Sequence, residues 1–216
     1  MRRRVVFWDI GNVLFKFRIA DFLKAVTAAG HQEGVRQCEL DEIITRSFHG
    51  ALSLSGTIDE LVNVTRCRKS DVMEIMEQDW VIPNCVLMEH VQRFCSECHQ
   101  GVISDLWQVP FFWIRRDYER FLSIFDYDKM FFSNLVGSTK TEAGENNLIR
   151  TAIRMSGLRP SHTCMIDDDI SVIQVASDAG MHAIHFPESG LAEKRAGWKS
   201  SNEVVVAKLR KEFLTT

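Results

Sequence analysis

Asp9 closes a short apolar run, Val5-Val6-Phe7-Trp8, and is followed at once by Ile10-Gly11-Asn12. A run of β-branched and aromatic residues too short for a globular helix, ending in an acid and a Gly-Asn turn, reads as a buried strand with a carboxylate at its C-terminal end. Three other places repeat the pattern of apolar run, then polar group. Gly101-Val102-Ile103 ends in Ser104, Lys129-Met130-Phe131-Phe132 leads to a loop carrying Gly137 and Lys140, and Thr163-Cys164-Met165-Ile166 ends in Asp167-Asp168-Asp169. In open α/β sheets ligands bind beyond the carboxyl ends of the strands, so these groups are expected at one edge. Asp9, Asp167 and Asp168 brought close cannot all stay ionised without a cation, because like charges raise one another's pKa. Carboxylate oxygens with the Gly11 backbone and water suit Mg²⁺. The Ser104 hydroxyl and Lys140 ammonium suit phosphoryl oxygens. Together they make a phosphoryl-transfer set in which Asp9 is the nucleophile.

The elements needed to position this set are legible as alternating strands and helices. Helical spacing is expected at Ile19–Val26, closed by Gly30, and at Leu40–Phe48, ending near Gly50. Thr57-x-x-Glu60 reads as a capping box opening a helix to about Arg66, and Ser70 as the cap of another helix with Val72, Ile75 and Met76 on one side. No convincing strand is expected between about Phe17 and Asn84. Beyond Pro83, helices are expected over Val86–Cys98, Phe111–Phe125, Glu142–Ser156 and Ile173–Ala179, and from Asn202 onward. Strands are expected at 101–105, 129–133, 163–166 and 181–186. The alternation predicts an α/β protein, a Rossmann-like parallel sheet with helices on both faces, plus a small all-helical domain. The expected boundaries are 1–16 and 85–216 for the core and 17–84 for the helical insert after the first strand. No repeats, low-complexity tracts or long linkers interrupt the chain.

Composition narrows the function classes. With 216 residues, 45% apolar, 25% charged and a net charge of −3, the chain fits one α/β core with an accessory domain. Nothing in that balance points to nucleic acid or a membrane surface. The basic leader Met1-Arg2-Arg3-Arg4 precedes an apolar run too short for a signal peptide, and a cytoplasmic protein with reduced thiols is expected from the six cysteines. Cys95-x-x-Cys98-His99 matches the haem-attachment pattern and offers zinc ligands, but no second Cys/His pair completes a tetrahedral set, so coincidence is the preferred reading. His49, His90, His162 and His185 show no metal-ligand spacing. Trp107, Phe111, Phe112, Trp113 and Phe121 are expected to bury apolar area rather than line a substrate pocket.

In order and interval, these four elements resemble the haloacid dehalogenase-like superfamily. Phe7-Trp8-Asp9-Ile10-Gly11-Asn12-Val13 is similar to its strand-D-x-x-x-V/L element, and Val102-Ile103-Ser104 to its strand-S/T element. Gly137-Ser138-Thr139-Lys140 matches G-x-x-K, and Met165-Ile166-Asp167-Asp168 matches strand-D-D, with Ala176 and Gly180 completing the usual A-x-x-x-G. The helical insert resembles the type 1 cap. The resemblance implies attack by Asp9 on phosphorus and an aspartyl-phosphate later hydrolysed by water. It also implies Mg²⁺ held by Asp9, the Gly11 carbonyl and the acids Asp167 and Asp168, with Asp168 preferred as the direct ligand, and a phosphoryl group bound by Ser104 and Lys140.

Three positions depart from the pattern. Gly11 stands where a second Asp usually acts as general acid and base, a contribution of about 10²–10⁴-fold. Thr141 replaces the usual Pro after the lysine, and Asp105 replaces the Asn often found after the hydroxyl. The D-x-G-N form resembles a branch containing sugar-phosphate phosphatases. The expectation is therefore a Mg²⁺-dependent phosphatase of small phosphorylated metabolites, phosphosugars first, acting as a monomer or homodimer. The alternatives are a non-catalytic phosphate-binding relative and a dehalogenase, which needs no metal and leaves the paired acids unexplained.

Overall fold

The computed structural model describes residues 4–30, 35–187 and 196–214; the basic leader at residues 1–3 lies outside them. Strand β1 (Val5–Trp8) is buried on both faces, and its side chains alternate between two packed layers. Val6 and Trp8 enter one hydrophobic cluster with Phe22, Phe94 and Trp113, while Val5 and Phe7 enter another with Ile149, Met165 and Val172. β1 pairs in parallel with β4 (His99–Ser104) and β6 (Thr163–Asp167), and β5 (Met130–Phe132) and β7 (His182–His185) extend the sheet. The order is β5-β4-β1-β6-β7, so Asp9 leaves the central strand flanked by the ends of β4 and β6. That is the parallel α/β sheet the sequence predicts.

Between β1 and β4 the chain makes β2 (Phe15–Phe17), four helices, β3 (Val81–Pro83) and helix α5 (Cys85–Phe94). The four helices are α1 (Ile19–Ala29), α2 (Gln37–Phe48), α3 (Leu54–Thr65) and α4 (Lys69–Met76). β2 and β3 form an antiparallel ribbon with Phe15 opposite Pro83 and Phe17 opposite Val81, a pair of strands the sequence reading does not expect. Asn84 fastens the ribbon's base, donating from N to the Leu14 carbonyl at 2.9 Å and from Nδ2 to the Val13 carbonyl at 3.0 Å.

Two helix starts differ from expectation. Ser53, not Thr57, caps α3, its Oγ accepting from Gly56 N at 3.1 Å; Thr57 lies a turn inside and is fully buried against Ser47. α4 begins at Lys69 after Arg68, and Ser70 is a helical residue whose hydroxyl bonds Asp71.

After β4, α6 (Gln108–Leu122) carries the aromatic stretch. Trp107, Trp113 and Phe121 are core residues, and Trp113 Nε1 donates to the Met76 carbonyl at 3.0 Å, tying α6 to α4. α7 (Ser133–Val136) and α8 (Leu148–Ser156) follow β5, the latter starting six residues later than expected because Asn147 caps it. α9 (Ile170–Asp178) and α10 (Ala196–Lys208) follow, and a π-helical segment, Leu209–Leu214, continues from α10. No described helix is long and apolar enough to cross a membrane.

Candidate active site

Asp9 continues the sheet ladder through its backbone, donating N–H to the Ile166 carbonyl at 2.9 Å, and the residue is 4% exposed. The chain then reverses. Phe15 N donates to the Ile10 carbonyl at 2.8 Å, and Asn12 takes φ +55°, a left-handed conformation that Asn tolerates better than most residues. This turn aims the Asn12 side chain across the sheet edge, where Nδ2 donates to Asp168 Oδ2 at 3.1 Å.

Ser104, at the end of β4, is fully buried. Its hydroxyl donates to Asp9 Oδ1 at 2.7 Å and accepts from Ile10 N at 3.3 Å. Lys140 arrives from the loop after α7, and its ammonium lies 2.9 Å from Asp9 Oδ1 and 2.6 Å from Asp167 Oδ2. Asp167 spends its other oxygen on the Asp169 N–H at 2.9 Å, so both of its oxygens are engaged. Oxygens of Asp9, Asp167 and Asp168 lie within 4.8 Å of one another. The structure thus brings together all the side chains the sequence nominates: Asp9, Ser104, Lys140, Asp167 and Asp168. Gly11 adjoins them, and a Cβ built on it would stand 3.8 Å from Asp9 Oδ2 with nothing nearer.

Other contributors were not nominated. Asp105 is one. Both of its oxygens accept the Lys140 backbone N–H, at 3.0 and 3.2 Å, which pins the loop just before Thr141. Ser133 joins the same loops, accepting from Leu106 N at 3.0 Å and donating to the Leu106 carbonyl at 3.1 Å. His185, at the end of β7, donates from Nε2 to the Asp168 carbonyl at 2.9 Å. The position of Asp105 after Ser104 left open that it points away or supports Lys140, and the structure has it on Lys140; nothing in the local sequence of Asn12 or His185 names their partners, which lie 156 and 17 residues away. Asn134 and Ser138, in the segment leading to Lys140, bury side-chain polar atoms with no hydrogen-bond partner among the described residues.

The electrostatics follow from crowding. Asp105 and Asp168 are each pushed up to about 6, first by burial and with a further contribution from Asp9, although Lys140 pulls both down. Asp167 is raised by burial and by Asp9, against the opposing pull of Lys140. For Lys140 burial alone would disfavour the charge, but the attraction of Asp9, Asp167 and Asp105 outweighs it and holds the ammonium protonated. Four carboxyl groups against one lysine leave an excess of negative charge in a poorly solvated place. Hard oxygen donors on three converging acids are the donor set that fits a divalent cation such as Mg²⁺.

Elsewhere, the Cys95–His99 segment runs from the C-cap of α5 to the first residue of β4. Cys98 is buried, its thiol pushed up to about 11 by burial, and its sulfur accepts from Gln100 Nε2 at 3.0 Å. The His99 ring pairs with Asp126 at 2.6 Å.

No family model and no curated protein matches the chain. Solved structures do. One is a haloacid dehalogenase family enzyme from Bacteroides thetaiotaomicron, in complex with magnesium and inorganic phosphate. It aligns with a TM-score of 0.73 at 14% identity over 88% of this chain and 98% of that one. A haloacid dehalogenase-like family hydrolase from Porphyromonas gingivalis aligns at 0.68 and 18% identity, over 98% and 100% of the two chains. Another from Xanthomonas campestris aligns at 0.55 and 14%, over 97% and 94%. The chain has the haloacid dehalogenase-like fold.

Proposed function

We infer, from this fold and from the way its strand ends converge, that the protein is a Mg²⁺-dependent phosphatase of small phosphorylated metabolites working through Asp9. The observation that carries the reading is the buried Lys140 ammonium shared between Asp9 and Asp167, with Ser104 on the same Asp9 oxygen and Asp168 beside them. Two donors on one face of the nucleophile are what the oxygens of a bound phosphoryl group need. Its phosphorus then comes against the carboxylate. Attack by an Asp9 oxygen forms an aspartyl-phosphate and expels the alcohol, and water later cleaves the new bond. The Bacteroides enzyme, with its magnesium and phosphate, supports both the metal and the substrate class.

Asp9, Asp168 and the Gly11 carbonyl would hold Mg²⁺, with Asp167 anchoring Lys140 behind them, since both Asp167 oxygens are taken. When bound, the ion supplies the positive charge that lets a phosphate dianion approach these carboxylates. Residues 17–84 act as the cap over the site, and phosphosugars are the first substrates to try.

Gly11 favours a second reading, a phosphate-binding relative without turnover, because it offers no carboxylate to protonate the leaving group. Hydrolysis of a panel of phosphorylated metabolites, with and without Mg²⁺, separates the two. Metal-dependent turnover abolished in Asp9→Asn establishes the phosphatase. No turnover across the panel, with Mg²⁺ and a phosphate mimic still raising the melting temperature, establishes the binding relative.

A further inference from the structure

The three acids at the sheet edge are held by different donors. Asp9 takes the Ser104 hydroxyl and the Lys140 ammonium, and Asp167 takes that ammonium and the Asp169 N–H. Asp168 is held another way. Its Oδ2 accepts from Asn12 Nδ2 at 3.1 Å, a bond that crosses from the turn after β1 to the turn after β6. Its carbonyl accepts from His185 Nε2 at 2.9 Å, at the end of β7. In the strand order β1-β6-β7 these two grips come from opposite sides, one on the side chain and one on the backbone. The residue type at position 12 is informative. With φ +55° the backbone there suits Gly at least as well as Asn, so the conformation alone does not call for an amide. The Asn12 N–H donates to the Phe15 carbonyl at 2.7 Å and fixes the turn, which leaves the side chain to reach Asp168. An amide is a donor without charge. A lysine there would compete with a cation for Asp168, and an aspartate would repel it.

We propose that Asn12 is a positioning residue for the divalent ion, setting the angle of the Asp168 carboxylate so that the site favours Mg²⁺ over the larger Ca²⁺. The proposal rests on the Mg²⁺ part of the phosphatase reading and adds the residue that tunes that site. Mg²⁺ demands near-ideal octahedral geometry with oxygens at about 2.0–2.1 Å, whereas Ca²⁺ accepts them at about 2.3–2.6 Å in flexible arrangements. A carboxylate free to swing about its Cβ–Cγ bond suits the tolerant ion. One held by Asn12, on a backbone held from β7, suits the demanding one. Because the amide is neutral, removing it leaves the charge of the site unchanged, and what is lost is geometry. Partners that orient a metal ligand typically change metal affinity by about 10–100-fold.

Calorimetric titration of the substrate-free protein with Mg²⁺ and, separately, with Ca²⁺ tests it. Asn12→Gly is the variant of choice, because glycine adopts this left-handed backbone without strain and only the amide is lost. The expected result is a rise of about 10–100-fold in the Kd for Mg²⁺ and a clearly smaller rise for Ca²⁺. The ratio of the two constants is read on folded protein, so a modest loss of stability does not enter it. An equal rise for both ions, or an unchanged Kd for Mg²⁺, overturns the proposal and leaves the phosphatase reading standing. If wild type binds no Mg²⁺, or Asp168→Asn binds it as tightly as wild type, the metal site of the phosphatase reading fails and the role of Asn12 fails with it.

Discussion

Lys140 holds the site together electrostatically. It is 5% exposed and bonded to two buried carboxylates, and its own backbone N–H is gripped by a third. Breaking a buried ion pair by deleting one partner typically costs about 3–5 kcal/mol, because the remaining charge is stranded. Lys140→Met is expected to lose stability on that scale in urea denaturation at pH 8 without Mg²⁺. The deficit should shrink towards pH 5, because Asp105 and Asp168, pushed up to about 6, take up protons and no longer need the cation. A deficit that does not change with pH would mean that lost packing, not charge, is responsible. Asp9, Ser104, Asp167 and Asp168 were legible in sequence because each ends an apolar run. Lys140 was legible only as part of a motif, since it sits in a loop. Asn12 and His185 could not be read at all, because their roles are contacts between strand ends that only the assembled sheet brings together.

At the scale of elements, local signals located most helices and misplaced some of their starts. Thr57-x-x-Glu60 has the letters of a capping box, yet Ser53 is four residues upstream, and burial of Thr57 against Ser47 decides between them. The β2–β3 ribbon escaped for a different reason. Phe-Lys-Phe and Val-Ile-Pro are three-residue strands without a periodic signal, and only their pairing across the whole helical insert makes them strands. The docking of α2 was equally invisible, and it depends on Gly50. That residue has φ +66°, and a Cβ would stand 2.6 Å from the Asn134 carbonyl oxygen. Gly50→Ala must strain its own backbone and push the turn off the β5 loop, so a loss of about 1–3 kcal/mol is expected from the urea midpoint. Gly144→Ala is the comparison, with φ +98° but nothing within 4 Å. Equal losses would show that conformational strain alone matters and that the close approach is incidental.

At the scale of the molecule, the helical layer and one face of the sheet share a single apolar core. Phe22, Leu61 and Trp80 belong to the same cluster as Val6, Trp8 and Phe94. That continuity makes stability a fair reporter of events at the sheet edge. Asp105 and Asp168 bind protons more tightly folded than unfolded, so the native state takes up protons between about pH 4 and 6. Stability from these two groups is therefore present in full at low pH and is lost as pH rises through 6. A divalent cation reverses the balance, since it replaces the protons and is favoured as they leave. At a Mg²⁺ concentration of about 100 times Kd the gain is about 2.7 kcal/mol, roughly 5–10 °C in Tm for a chain of this size. Each proton the ion must displace costs about 1.4 kcal/mol per pH unit below the group's pKa. The Mg²⁺-induced rise in Tm should thus be near its full value at pH 8 and no more than about half of it at pH 5. Exposed acids held low by their partners, such as Asp128 beside Lys129, titrate alike with and without metal and cancel in the difference. Thermal melts of wild type and Asp168→Asn across pH 5–8 check this: the variant should lose most of the Mg²⁺ response at pH 8. A response that is flat with pH, or intact in the variant, would place the ion somewhere other than these carboxylates.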